Sequence, residues 1–169
     1  NPNDLGARIC LGELLLINEQ VRVALEEFRQ LISKNAEMQN AVFESLMRLR
    51  VPLSSGLKQL LTRDGYTEML AGLADFEALL SQVDRGLAQR MYSTWSLIHY
   101  DIASQLATQG QLQRATIHFQ KAIDINPSND GAWLLLGIIY HQLGDLENGM
   151  TCIVRAAKLG NRDAIGMLR

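Results

Sequence analysis

The sequence predicts an all-α fold built from stacked helical hairpins, and three observations predict it. The first is a period. Trp133, Leu136, Gly137, Tyr140, Gly144, Ile153 and Ala156 fall 34 residues after His99, Ile102, Ala103, Leu106, Gly110, Phe119 and Ala122. Small residues land on small ones, and large apolar residues mostly land on large apolar ones. Such a period marks a unit that buries its apolar face only by stacking on copies of itself. The second is spacing: Ile98, Ile102 and Leu106 recur at helical intervals, and strand-like alternation is absent. The third is the scarcity of breakers. The chain has three prolines, and none interrupts a good helical pattern.

The elements follow in order from these patterns. Residues 97–108 read as one helix, stopped by Gly110. Residues 112–125 form its partner, with Ala115, Phe119, Ala122 and Ile123 inward. Asn126-Pro127-Ser128-Asn129 is a turn, because proline cannot continue the preceding helix and Ser or Asn can cap the next. The next unit repeats the scheme, with a helix over 131–142, a stop at Gly144-Asp145 and a helix over 146–159. Residues 164–169 read as the start of a further or capping helix.

These residues resemble the tetratricopeptide repeat, a helix–turn–helix unit of about 34 residues with the pattern W-x2-L-G-x2-Y … A-x3-F … P. The copy at 130–163 carries Trp133, Leu136, Gly137 and Tyr140 in its first helix. It departs in the second, where Gly149, Ile153 and Asn161 stand for the usual Ala, Phe and Pro. The copy at 96–129 is complementary: Ala115, Phe119, Ala122 and Pro127 match, while His99 stands where Trp is usual. A third copy at 5–38 matches at Leu11-Gly12, Leu15, Ala24 and Phe28, with Leu31 and Ala36 as departures. Its lead-in, Asn1-Pro2-Asn3-Asp4, resembles the 126–129 turn. The expectation is a piece of a longer array, a right-handed α-solenoid.

The stretch 39–95 breaks the period while keeping helical spacing, as in Val42, Leu46 and Leu49 and in Leu73, Phe76, Leu80, Val83 and Leu87. Pro52 to Gly56 and Asp64-Gly65 read as its breakers. It reads as a degenerate repeat with lengthened helices or an inserted helix, or as an independent helical cap.

Composition narrows the function. The net charge of −2 gives no basic footprint for nucleic acid, so none is expected. No apolar run approaches the ~18 residues of a membrane span. Cys10 and Cys152 make no disulfide framework and read as buried free thiols. They suit a reducing compartment, with the cytoplasm favoured and the periplasm left open. No phosphate loop, H-E-x-x-H, C-x-x-C or EF-hand pattern occurs, so neither cofactor nor metal is expected and no catalytic residue is assigned. His99 reads as a packed core residue and His118 as an outward-facing one, so a three-histidine site is not favoured by repeat geometry. Arg155, Lys158, Arg162 and Arg169 gather towards the C-terminus, where the helix macrodipole favours cations.

The resemblance implies that first helices line a concave groove. Carried over residue by residue, its ligand positions fall on Ile9, Glu13, Leu16 and Ile17, on Leu97, Tyr100, Ser104 and Thr108, and on Leu134, Ile138, His141 and Gln142. None is a lysine or arginine, so a peptide carboxylate would find no charge-assisted donors of that kind. The set is mostly apolar with a few hydrogen-bonding groups, which suits an amphipathic helix or an extended apolar peptide. Cover of Leu134 and Ile138 by a following repeat, or of the groove by the irregular segment, is the competing expectation. The function expected is a non-enzymatic protein-interaction scaffold or adaptor. Its alternatives are the recognition arm of a larger enzyme, such as a transferase, and a homotypic assembly module.

Overall fold

The computed structural model describes residues 4–169, and all of its regular elements are helical. The first three residues of the Asn1-Pro2-Asn3-Asp4 lead-in lie outside the described residues; Asp4 caps the first helix, its Oδ1 accepting from the Ala7 amide at 3.1 Å. The chain divides into two compact units, 1–91 and 92–169.

In unit 1, α1 (Leu5–Ile17) and α2 (Val21–Lys34) form an antiparallel hairpin. Gly12 allows their close approach, since a Cβ there would meet the Phe28 ring at 2.5 Å. A 3₁₀ turn, Ala36–Met38, leads to α3 (Gln39–Arg48), α4 (Arg50–Asp64), α5 (Tyr66–Ser81) and α6 (Arg85–Arg90). The irregular stretch is therefore richer in helices than one lengthened repeat. Pro52 to Gly56 do not break it: α4 runs through them from Arg50 to Asp64. Pro52 is the third residue of α4, where a backbone N–H has no intrahelical acceptor, so its absence costs little. Gly65 does end α4, with φ +94. α2 packs on both α1 and α5, and α3 and α4 also reach α1.

In unit 2, α7 (Tyr92–Thr108) pairs with α8 (Leu112–Ile125), and α9 (Asp130–Gln142) pairs with α10 (Leu146–Lys158). α8 also packs on α9, and the short α11 (Arg162–Met167) packs on α10. The two hairpin turns pass through Gly110 and Gly144 at φ +76 and +85. The corresponding residue of the α1–α2 turn is Glu19, which adopts the same left-handed conformation at φ +62.

Polar caps tie consecutive hairpins of unit 2 together. Asn129 accepts from the Ala132 amide at 3.1 Å while its Nδ2 donates to Ser96 Oγ at 3.0 Å. Asn161 does the same one step later, accepting from the Ala164 amide at 3.0 Å and donating to Asp130 Oδ2 at 2.7 Å. The Trp133 indole donates to the Pro127 carbonyl at 2.9 Å, which fixes the turn between hairpins.

Two further sequence expectations are corrected. His118 does not face outward. It is fully buried beside His99, with the two Nδ1 atoms 3.1 Å apart and the rings stacked at 5.4 Å. Two histidines at this crossing form one hydrogen bond, so each satisfies part of the other's polar demand. The thiols also differ: Cys152 is buried, but Cys10 is exposed.

Candidate functional site

The groove residues inferred from the repeat pattern fall into two groups. In unit 1 they are mostly covered from within. Leu16 is fully buried. Glu13 Oε1 accepts from Ser45 Oγ at 2.6 Å and from the Arg48 guanidinium, both on α3. Ile9 is half-buried, and only Ile17, at the end of α1, is exposed. The irregular segment thus lies against the face of α1 that the pattern assigns to a ligand.

Unit 2 keeps an open cleft. Tyr100, Ser104 and Thr108 follow one another at four-residue spacing along α7, and Leu134, Ile138 and His141 do so at four and three along α9. Of these, Ser104, Thr108 and Ile138 line a common cleft of about 350 Å³. Leu112 and Phe119 of α8, Ala107 of α7, and Leu135, Ile139 and Gln142 of α9 complete it. Repeat register alone points to first-helix residues, so it missed the contributions of α8. The signal was present in Phe119, whose ring is large enough to reach between two first helices.

The remaining predicted residues serve other ends. Tyr100 is half-buried and sets its ring edge-on to Phe119 at 5.7 Å. It also lies against Gly131, where a Cβ would come within 3.3 Å of the ring. Burial pushes its phenol pKa up, with Asp101 adding to the shift. Leu134 turns away from the cleft into a cluster with Ile153, Ala156 and Ala164, so α11 supplies part of its cover. Leu97, His141 and Gln142 are exposed.

The cleft is lined mostly by apolar side chains. Ser104 and Thr108 donate to the carbonyls of Tyr100 and Ser104, each at 2.9 Å, which leaves their oxygens as acceptors. No charged side chain lines the cleft. Among the described residues no group of three or more His, Cys, Asp or Glu is placed to hold a metal ion. No helix of the described residues is long and apolar enough to cross a membrane.

Stacked helical hairpins define a helical-repeat protein, and comparison with known proteins identifies the repeat. A family model described as TPR repeat matches residues 103–144, and one described as tetratricopeptide repeat matches residues 130–160. Residues 103–160 therefore match tetratricopeptide repeats, a repeat type that supports a protein-interaction scaffold in general.

Among curated proteins the chain is similar to anaphase-promoting complex subunit 3 of Schizosaccharomyces pombe, at 28% identity over 80 residues. That match covers 47% of this chain and 11% of the relative. It is also similar to the probable biofilm formation methyltransferase WspC of Pseudomonas putida, at 29% identity over 103 residues. There the match covers 59% of this chain and 24% of the relative, so the chain spans at most about a quarter of either protein. A solved structure of MamA (MSR-1 C2) aligns over 95% of this chain and 79% of its own, with a TM-score of 0.43 and 16% identity.

Proposed function

We propose that this chain is a non-enzymatic interaction module that holds an apolar peptide or amphipathic helix of a protein partner in the cleft between α7 and α9. The observation that carries the reading is the convergence of Ser104, Thr108 and Ile138 on one open cleft floored by Phe119. Apolar walls with a few hydroxyl acceptors at the rim suit a ligand that buries aliphatic side chains and donates backbone N–H groups. The absence of a lining cation argues against a bound carboxylate terminus. The α1 face plays no part in this reading, because Glu13 and Leu16 are already engaged within unit 1.

The test is site-directed photo-crosslinking in lysate. A photoreactive phenylalanine at Thr108 or Gln142 should capture a partner, and one at Val51, an exposed position in unit 1, should not. Adding Ile138→Glu should abolish the capture while the helical content stays unchanged. Equal capture at Val51, or capture that survives Ile138→Glu, would move the site away from the cleft.

A second reading is supported by the similarity to a probable methyltransferase of which this chain spans 24%. In it, the same cleft is the recognition arm of a longer protein that carries catalysis elsewhere. A catalytic sequence continuous with this chain in its gene decides between the two.

A further inference from the structure

The outer face of α10 carries a pattern that the repeat fold does not require. The residues of α10 turned to the core are Gly149, Cys152, Ile153 and Ala156. Those turned away are Glu147, Thr151, Val154 and Lys158, with Met150 and Arg155 beside them. Together with Trp133 of α9 they line an open ledge of about 570 Å³. The four central positions are spaced four, three and four, so they form one seam along the helix, as in a helix–helix contact.

The order of chemistry along the seam is what matters. It runs from an acid, Glu147, through the small Thr151 and the apolar Val154, to a base, Lys158. Reversed, this order is complementary to itself. When two copies are set antiparallel, Glu147 faces Lys158 of the second copy and Thr151 faces Val154 of the second copy. The two-fold axis then repeats both contacts. Parallel pairing would place acid on acid and base on base, so charge selects the antiparallel arrangement. Within the chain, and among the described residues, Glu147, Arg155 and Lys158 have no ion-pair partner, so these charges are available. Met150 is 52% exposed on the same ledge, an apolar side chain that a contact would cover.

We propose that α10 forms an isologous, antiparallel contact with α10 of a second copy of this chain. The seam spans 12 residues, about 18 Å of helix, which is short of a standard interface. The dimer is accordingly weak. It uses the outer face and leaves the cleft between α7 and α9 free, so the two proposals stand or fall separately.

Sedimentation velocity of the whole chain from about 5 to about 500 μM spans the range in which a weak dimer forms. The parent should move from monomer towards dimer across the range. Glu147→Lys alone and Lys158→Glu alone each place like charges at both ends of the seam, and each should weaken association by about tenfold or more. An equimolar mixture of the two single variants should associate again as a heterodimer, because every seam charge then meets its opposite. The double variant E147K/K158E should recover the parent's behaviour. Far-UV circular dichroism of each variant should match the parent, since both positions are on the surface. A parent that stays monomeric throughout overturns the proposal. So does association that the single variants leave unchanged, or single variants whose mixture fails to associate.

Discussion

Gly137 offers the sharpest test of the packing. A Cβ at this position would sit 2.8 Å from the carbonyl oxygen of Gly149 and 2.8 Å from Ile153 Cγ1, with Cys152 Cβ at 3.2 Å. The carbonyl belongs to the backbone of α10 and cannot rotate aside, so any side chain at 137 must push α9 and α10 apart. The contact is reciprocal, because a Cβ at Gly149 would come within 3.0 Å of the Gly137 carbonyl. One period earlier, Ala103 and Ala115 fill the same two places and are fully buried, so that hairpin accommodates a methyl on each helix. Gly137→Leu adds four carbons to a site without room for one. Overpacking costs about 1–3 kcal/mol when the surroundings can shift, and here the upper end applies, about 3 kcal/mol. For a unit of this size that is a fall in Tm of about 10 °C or more. Gly137→Ala should lose less, because about 1 kcal/mol of helix propensity offsets part of the clash. Gly166→Ala is the control: a Cβ there meets nothing within 4 Å, so stability should hold or rise slightly. The assay is thermal unfolding followed by tryptophan fluorescence, since the only tryptophans, Trp95 and Trp133, both lie in unit 2. A Gly137→Leu transition within about 1 °C of the parent would refute the close crossing.

Three further outcomes follow from the same structure. Glu19→Gly should stabilise the α1–α2 turn by about 0.5–1 kcal/mol, because Glu19 holds φ +62 where Gly110 and Gly144 hold the other hairpins; urea unfolding of unit 1 by circular dichroism reads it. His99→Leu or His118→Leu alone should cost about 1–3 kcal/mol by removing the 3.1 Å partner of a buried ring. The double variant should cost less than the sum, and strict additivity in the cycle would show that the pair is not coupled. In native protein at mildly alkaline pH, Cys10 should react readily with a thiol reagent. Cys152 should stay silent until unfolding, because burial pushes its thiol pKa up and withholds the thiolate; two reactive thiols in the native state would contradict this.

Much of the fold was legible because a repeat writes its architecture several times. The 34-residue period placed the α7–α8 and α9–α10 hairpins, and the stops at Gly110 and Gly144 fell at turns that need a left-handed residue. Glu19 escaped notice because only its alignment with those glycines, not its identity, marks the position. Pro52 misled because proline breaks a helix interior but is harmless in the first turn, and nothing around it in the sequence says where the turn begins. His118 misled for a different reason. Periodicity gives the side of a helix, but whether a polar side chain there meets water or a partner depends on what the neighbouring helix offers. Here the neighbour offers His99, at the very position where the repeat usually has tryptophan.

The site was less legible than the fold, and the two units show why. Register predicts which face of a first helix would meet a ligand. It cannot predict what else the chain lays on that face, because the covering elements lie outside the period. On α1 the cover is α3, and its trace in sequence is no more than Ser45 and Arg48, two ordinary residues of an irregular segment that happen to reach Glu13. On α9 the cover is partial: Leu134 is buried in a cluster with Ala164 of α11, and Ile138 packs against that cluster while still lining the cleft. Ile138, half-buried, keeps one side at the cleft, while Leu134, one turn earlier on the same stripe, is buried. A repeat thus supplies a row of equivalent positions, and its non-repeating neighbours decide which of them are left to bind.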